Sequence, residues 1–219
     1  MRLQNAYQAS IRPLLLGLLS CLLTIGLHMP WFGNSIAATA ATRNPAAVEH
    51  SMAPDFSLDQ IAQANTTLAE SVLLAQGATK SDLKTYVAKM SAKETVPTRA
   101  NSSAWGTVGA ALSGNRLIVR GSFRDLSSPM RNYATDPVSP PNPNITSAFH
   151  IHRGMATENG PFQYALQVMT DDMGLTGSAM GEYTLTAEQL DALNKGMLYV
   201  DLHTTKHRAG ELRAVLMPL

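Results

Sequence analysis

From Trp105 to Met217 the chain is cut into short apolar segments by glycine, proline and asparagine. Segments that short cannot make long helices. Residues 105–112 alternate, Ser113-Gly114-Asn115 is a turn signal, and 116–123 (RLIVRGSF) alternates again, so the pair predicts a hairpin. Further strands are expected at 146–152, 162–169, 179–185, 197–203 and 211–217. Residues 126–144 hold Pro129, Pro137, Pro140, Pro141 and Pro143. Proline cannot donate to a sheet ladder, so that stretch predicts a long irregular loop. Many short strands separated by turns predict an all-β protein, an antiparallel β-sandwich.

Two helices are expected beside the strands. Ser57 and Gln60 have capping-box spacing; Leu58, Ile61, Ala62, Leu68, Ala69, Val72 and Leu73 follow helical periodicity, and Gly77 is the stop. This helical segment, 57–77, is expected to cover an apolar surface of the domain that follows. A short helix before the penultimate strand is capped by Thr186 with Gln189, turns Leu190 and Leu193 inward and ends at Gly196. Residues 83–91 fit a helix or a strand, and periodicity alone does not choose.

The beginning of the chain reads differently. Arg2 and Arg12 lie in a stretch without acids, residues 14–27 run LLLGLLSCLLTIGL, and small residues follow at 35–41. That order predicts a secretory signal over 1–40, with cleavage after Ala37 or Ala40, and an exported protein, periplasmic or extracellular. An uncleaved membrane anchor is the alternative, although His28 and Pro30 interrupt the run short of the roughly 20 apolar residues a span needs. Residues 41–56 read as a polar linker. Cys21, the one cysteine, lies within the signal, so a processed chain has no thiol, and thiol catalysis and disulfides are excluded from it. Seventeen basic against sixteen acidic residues leave none of the basic excess of a nucleic-acid binder.

Alternation also gathers side chains. If Phe149 and Ile151 face a core, His150 and His152 share the other face; if Leu198, Val200 and Leu202 face the core, Tyr199, Asp201 and His203 point away from it. Should the two segments be neighbours, His150, His152, Asp201 and His203 converge. Imidazole and carboxylate suit copper or zinc, and His207 lies nearby in sequence. The alternative is that the rings are partly buried donors to the loops around Asn159 and Gly160. Glu211 and Arg213 share a strand face and are expected to form a surface or edge ion pair. Asp171 and Asp172 read as turn acids, and no nucleophile elbow or phosphate loop is present. Asn65, Asn101 and Asn144 each open a glycosylation acceptor triplet, which matters only in a eukaryotic secretory host.

Three motifs follow in order: Phe149-His150-Ile151-His152-Arg153-Gly154 with Asn159-Gly160-Pro161; Leu198-Tyr199-Val200-Asp201-Leu202-His203-Thr204; and Gly210-Glu211-Leu212-Arg213. Together they resemble the chordin-type (CHRD) domain family, with its HIHxGxxxxNGP, YVNVHT and GEIRG patterns. Glu94, Val96-Pro97, Thr98 and Gly106 resemble the family's opening segment. Asp201 stands where that family usually has asparagine, and Ala214 replaces a glycine. The resemblance covers 83–219, favours a strand at 83–91, and implies an immunoglobulin-like, Greek-key sandwich. A complete sandwich pattern without a nucleophile–base pair favours a non-catalytic exported module presenting a surface to another protein or to a matrix or envelope component. Membrane contact would come only through an uncleaved start of the chain. The second reading is a histidine-based copper or zinc protein, storing metal or dismutating superoxide. Copper–zinc superoxide dismutases are similar in using an H-x-H strand, but their disulfide cysteines and second-metal loop have no counterpart here.

Overall fold

A computed structural model describes residues 57–219; the expected signal, with Cys21, and the linker lie outside them. The first helix, α1 (Leu58–Ala75), begins at the capping box: the Ser57 hydroxyl accepts from the Gln60 amide, and the Gln60 side chain accepts from the Ser57 amide. It ends before Gly77, whose φ of 93° is left-handed. Ala69 and Leu73 pack with Ala111 and Ile118 as a small second core. The Asn65 amide donates to the carbonyl and hydroxyl of Thr107, and its oxygen accepts from Ser122. Asn65 is therefore buried between helix and sheet, and its acceptor triplet presents no free side chain.

The strands are β1 (Leu83–Ser91), β2 (Trp105–Ser113), β3 (Arg116–Arg124), β4 (Phe149–Arg153), β5 (Phe162–Ala165), β6 (Gln167–Thr170), β7 (Gly177–Thr184), β8 (Leu198–Leu202), β9 (Leu212–Val215) and β10 (Met217–Pro218). The ambiguous 83–91 segment is a strand, with Tyr86, Ala88 and Met90 turned into the core. β2 and β3 form the expected hairpin, and Gly114 at φ 60° makes its turn. The short helix α2 (Ala187–Asn194) has the expected Thr186–Gln189 capping box. Residues 126–148 carry no strand beyond a single bridge from Met130 to Thr204. Among the described residues no helix is long and apolar enough to cross a membrane.

All strand pairs are antiparallel, in the order β5-β4-β8-β9-β1-β2-β3-β7-β6, with β10 also on β1. The all-β expectation holds. The strands nevertheless make one continuous sheet, curled into a nearly closed barrel, where two stacked sheets were expected. The physical reason is at Leu166. The expected strand 162–169 bends there, its first half pairing with β4 and its second half with β7, so one segment serves both ends of the sheet. Leu166 is fully buried, its amide donates to the Phe149 carbonyl, and the Tyr183 hydroxyl donates to Ala165 beside it. Inside the barrel Val108, Leu117, Phe123, Phe149, Ile151, Leu198, Val200 and Leu212 form the main core.

The outer face of β2 is buried too, because α1 lies on it. Gly109 permits that approach: a Cβ at this position would collide with the backbone of Asn65 and Thr66. Gly109→Ala is therefore expected to cost about 1–3 kcal/mol, the usual range for overpacking, read as a lower urea midpoint.

Candidate functional site

β4 and β8 are neighbours, paired so that His150 faces Asp201 and His152 faces Tyr199. Phe149, Ile151, Leu198, Val200 and Leu202 are fully buried in the barrel, which turns His150, His152, Tyr199 and Asp201 outward, and His203 follows at the end of β8. The outward face is roofed. His150 is 2% exposed and His203 9%. Ring centroids of His150 lie 5.0 Å from His203 and 5.5 Å from His152. One ring nitrogen from each of the three histidines lies within 4.8 Å of the other two.

In each ring one nitrogen is tied to main chain. His150 Nε2 bonds the Ser147 carbonyl, His152 Nδ1 the Gly160 carbonyl at 3.0 Å, and His203 Nδ1 the Arg208 carbonyl at 3.0 Å. A carbonyl only accepts, so each of these nitrogens carries the hydrogen. The other nitrogen of each neutral ring keeps its lone pair. His152 Nε2 and His203 Nε2 are buried and have no hydrogen-bond partner. Burial holds all three rings in the neutral form: His150 is lowered to about 3, with His203 adding to the effect, His203 is lowered to about 4, and His152 is lowered as well. Neutral imidazoles with the far N–H fixed by a carbonyl are the arrangement metal-binding histidines adopt.

Aromatic side chains complete the enclosure. Tyr133, from the proline-rich loop, lies 5.3 Å from His150 and 6.5 Å from His203, centroid to centroid. Phe162 lies nearly perpendicular to His150 and His152, and Tyr199 stacks on His152 within 5° of parallel. Arg131 lies over Tyr133 at 4.6 Å and bonds Asp136, which also pairs with Arg208. Nothing in the sequence periodicity points to Tyr133 or Arg131, because the loop that carries them has none.

Asp201, expected as a fourth ligand, is occupied otherwise. Its two oxygens accept from Arg213 Nε and Nη2, both at 2.7 Å, in a pair buried to within 3% of complete. Arg213 also donates to the Glu158 carbonyl and Asn159 Oδ1 and lies over Tyr199, while the Gly160 amide donates to the Tyr199 hydroxyl. The expected surface pair of Glu211 with Arg213 is corrected on both sides, since both are buried and each has other partners. Register explains it: Arg213 sits opposite Asp201 across β8 and β9. The Glu211 carboxylate accepts from Ser102, the Ser127 amide and Thr204. Burial pushes that carboxyl upward, but these hydrogen bonds outweigh it and hold it below its ordinary value. His207 has a buried, unpartnered Nε2 of its own, yet the convergent group among the described residues comprises only His150, His152 and His203. Asp171 closes its turn by accepting from Leu175 and Thr176, as a turn acid does.

Two expectations follow. Arg213→Leu strands a buried carboxylate and is expected to cost about 3–5 kcal/mol in chemical denaturation, with the Asp201→Leu, Arg213→Leu double variant losing less than the sum of the singles. The second concerns pH. The folded values of His150 and His203 lie below the unfolded value of 6.5, so the unfolded chain binds more protons and the protein loses stability as pH falls below 6.5 toward about 4 and 3. Within that window the loss is about 1.4 kcal/mol per pH unit for each histidine, read from denaturant midpoints across a pH series.

The CHRD domain family model matches residues 86–216. No curated protein and no solved structure matches the chain. The match runs from the first strand to the last turn of the barrel and includes all three convergent histidines and the Asp201–Arg213 pair, and the chain belongs to the CHRD domain family.

Proposed function

We propose that this is an exported, non-catalytic binding module whose binding element is the histidine centre, holding a copper or zinc ion. One observation carries the reading: two imidazole nitrogens are buried, without partners, and grouped with a third. An unpaired buried acceptor costs about 1–3 kcal/mol, and a bound cation converts that cost into coordination. If the rings were only structural donors to the loops, as the alternative has it, their inner lone pairs would remain orphaned. His150, His152 and His203 would hold the ion; it would supply a Lewis-acidic or redox centre shielded from bulk water. The barrel, the roofing loop and α1 are the scaffold, and family membership supports a binding or structural role.

Export belongs to the same proposal, supported by the basic start, apolar run and small-residue stretch of 1–40. So does the finer fold description. The connections β3 to β4 and β7 to β8 each carry the chain to a strand that is not the sheet neighbour of the one it leaves, which supports an immunoglobulin-like, Greek-key connectivity within the one curled sheet.

Untagged full-length protein is expected to retain a single copper or zinc ion per chain by mass spectrometry. His152→Gln and His203→Gln are expected to lose it. At a metal concentration 100 times Kd the wild type gains about 2.7 kcal/mol of stability, and the two variants do not. Metal content unchanged in both variants would end the reading. The metal-loaded protein is expected to leave superoxide decay unaccelerated; acceleration abolished by His152→Gln would replace the non-catalytic reading with the dismutase one.

A further inference from the structure

We infer that the histidine centre selects copper in its monovalent state over divalent zinc, and that Tyr133 is the positioning residue that enforces the choice; this rests on the metal-binding reading above. The first argument is charge. All three ring N–H groups are committed to the carbonyls of Ser147, Gly160 and Arg208, so each donor is a neutral imidazole. The carboxylate nearest in register, Asp201, is held by both of its oxygens on Arg213. The histidine donor set contributes no negative charge, and the ion's own charge enters a buried site uncompensated. The cost of burying an ion rises with the square of its charge, about fourfold from a monovalent to a divalent ion.

The surroundings add to this. Asp201 is ion-paired with Arg213 and so is not free to coordinate. At the roof, Arg131 and Arg208 both pair with the carboxylate of Asp136, which is thereby committed to two guanidinium groups. The second argument is coordination number. Zinc is almost always four-coordinate, and three histidines leave it needing another donor. The rings of Tyr133 and Phe162 pack against the histidines, so a further donor would have to compete with aromatic side chains for space beside them. A three-coordinate monovalent copper ion needs no further ligand, and its single charge is compatible with an adjacent aromatic face.

The test is a pair of competition titrations on untagged full-length protein stripped of metal. Cu(I) is titrated anaerobically against bathocuproine disulfonate, and Zn(II) against a chromophoric zinc chelator. Wild type is expected to bind Cu(I) more tightly than Zn(II). Tyr133→Ala, a substitution in an irregular loop, is expected to narrow that preference by about 10- to 100-fold, the range that outer-shell changes cost at metal sites. Tyr133→Phe is expected to keep the wild-type preference, since the ring and not the hydroxyl acts. Loss of preference in Tyr133→Phe would overturn the assigned role of the ring, and so would an unchanged preference in Tyr133→Ala. Zinc binding equal to or tighter than Cu(I), and sensitive to His152→Gln, would overturn the selectivity while leaving a metal centre in place. Binding of neither ion in a His152-dependent way would remove the metal-binding reading itself.

Discussion

Strand β8 is buried on both faces, and the site is a consequence of that. Its inner side chains are apolar and need only volume around them. Its outer side chains are Tyr199 and Asp201, with His203 beyond, and they are polar in a place water does not reach. A buried polar group must find a partner or carry a desolvation cost of about 1–3 kcal/mol. Asp201 finds Arg213, Tyr199 finds the Gly160 amide, and each histidine finds one carbonyl. Among the described residues the inner nitrogens of His152 and His203, with that of His207, stand out as buried side-chain atoms left without a partner.

The same network organises the loops. Arg213 reaches past Asp201 to hold residues 158 and 159, and Glu211, two residues earlier, gathers Ser102, Ser127 and Thr204. These segments are distant in sequence and have no regular structure that would fix them. Buried charge-assisted hydrogen bonds are shorter and stronger than neutral ones, which suits them to fixing irregular chain. The roof over the histidines therefore depends on alternate residues of the β9 region, and not on propensities within the roof.

Much of this was legible in the residues. Period-two alternation at 149–152 and 198–203 correctly assigns the faces of both strands, and their adjacency brings the three histidines together. The capping boxes at Ser57 and Thr186 were legible because their signals are local. What was not legible depends on pairing. The identity of the strand beside β8 decides that Asp201 serves Arg213, and no local pattern encodes it. The bend at Leu166 looks like continuous strand because its side chain is as apolar as its neighbours require. Tyr133 is hidden for the opposite reason: its loop has no period, and only tertiary packing shows what it covers.

The bend at Leu166 has a further bearing on how the protein behaves in company. An open sheet offers two rows of unpaired amides and carbonyls to any similar chain, a standing invitation to fibre growth. Here one kinked segment lends its first half to one border and its second half to the other, so each border ends in a strand of only four residues. The covering of both borders thus hangs on a single hinge of the main chain. Loosening that hinge would unmask both borders at once.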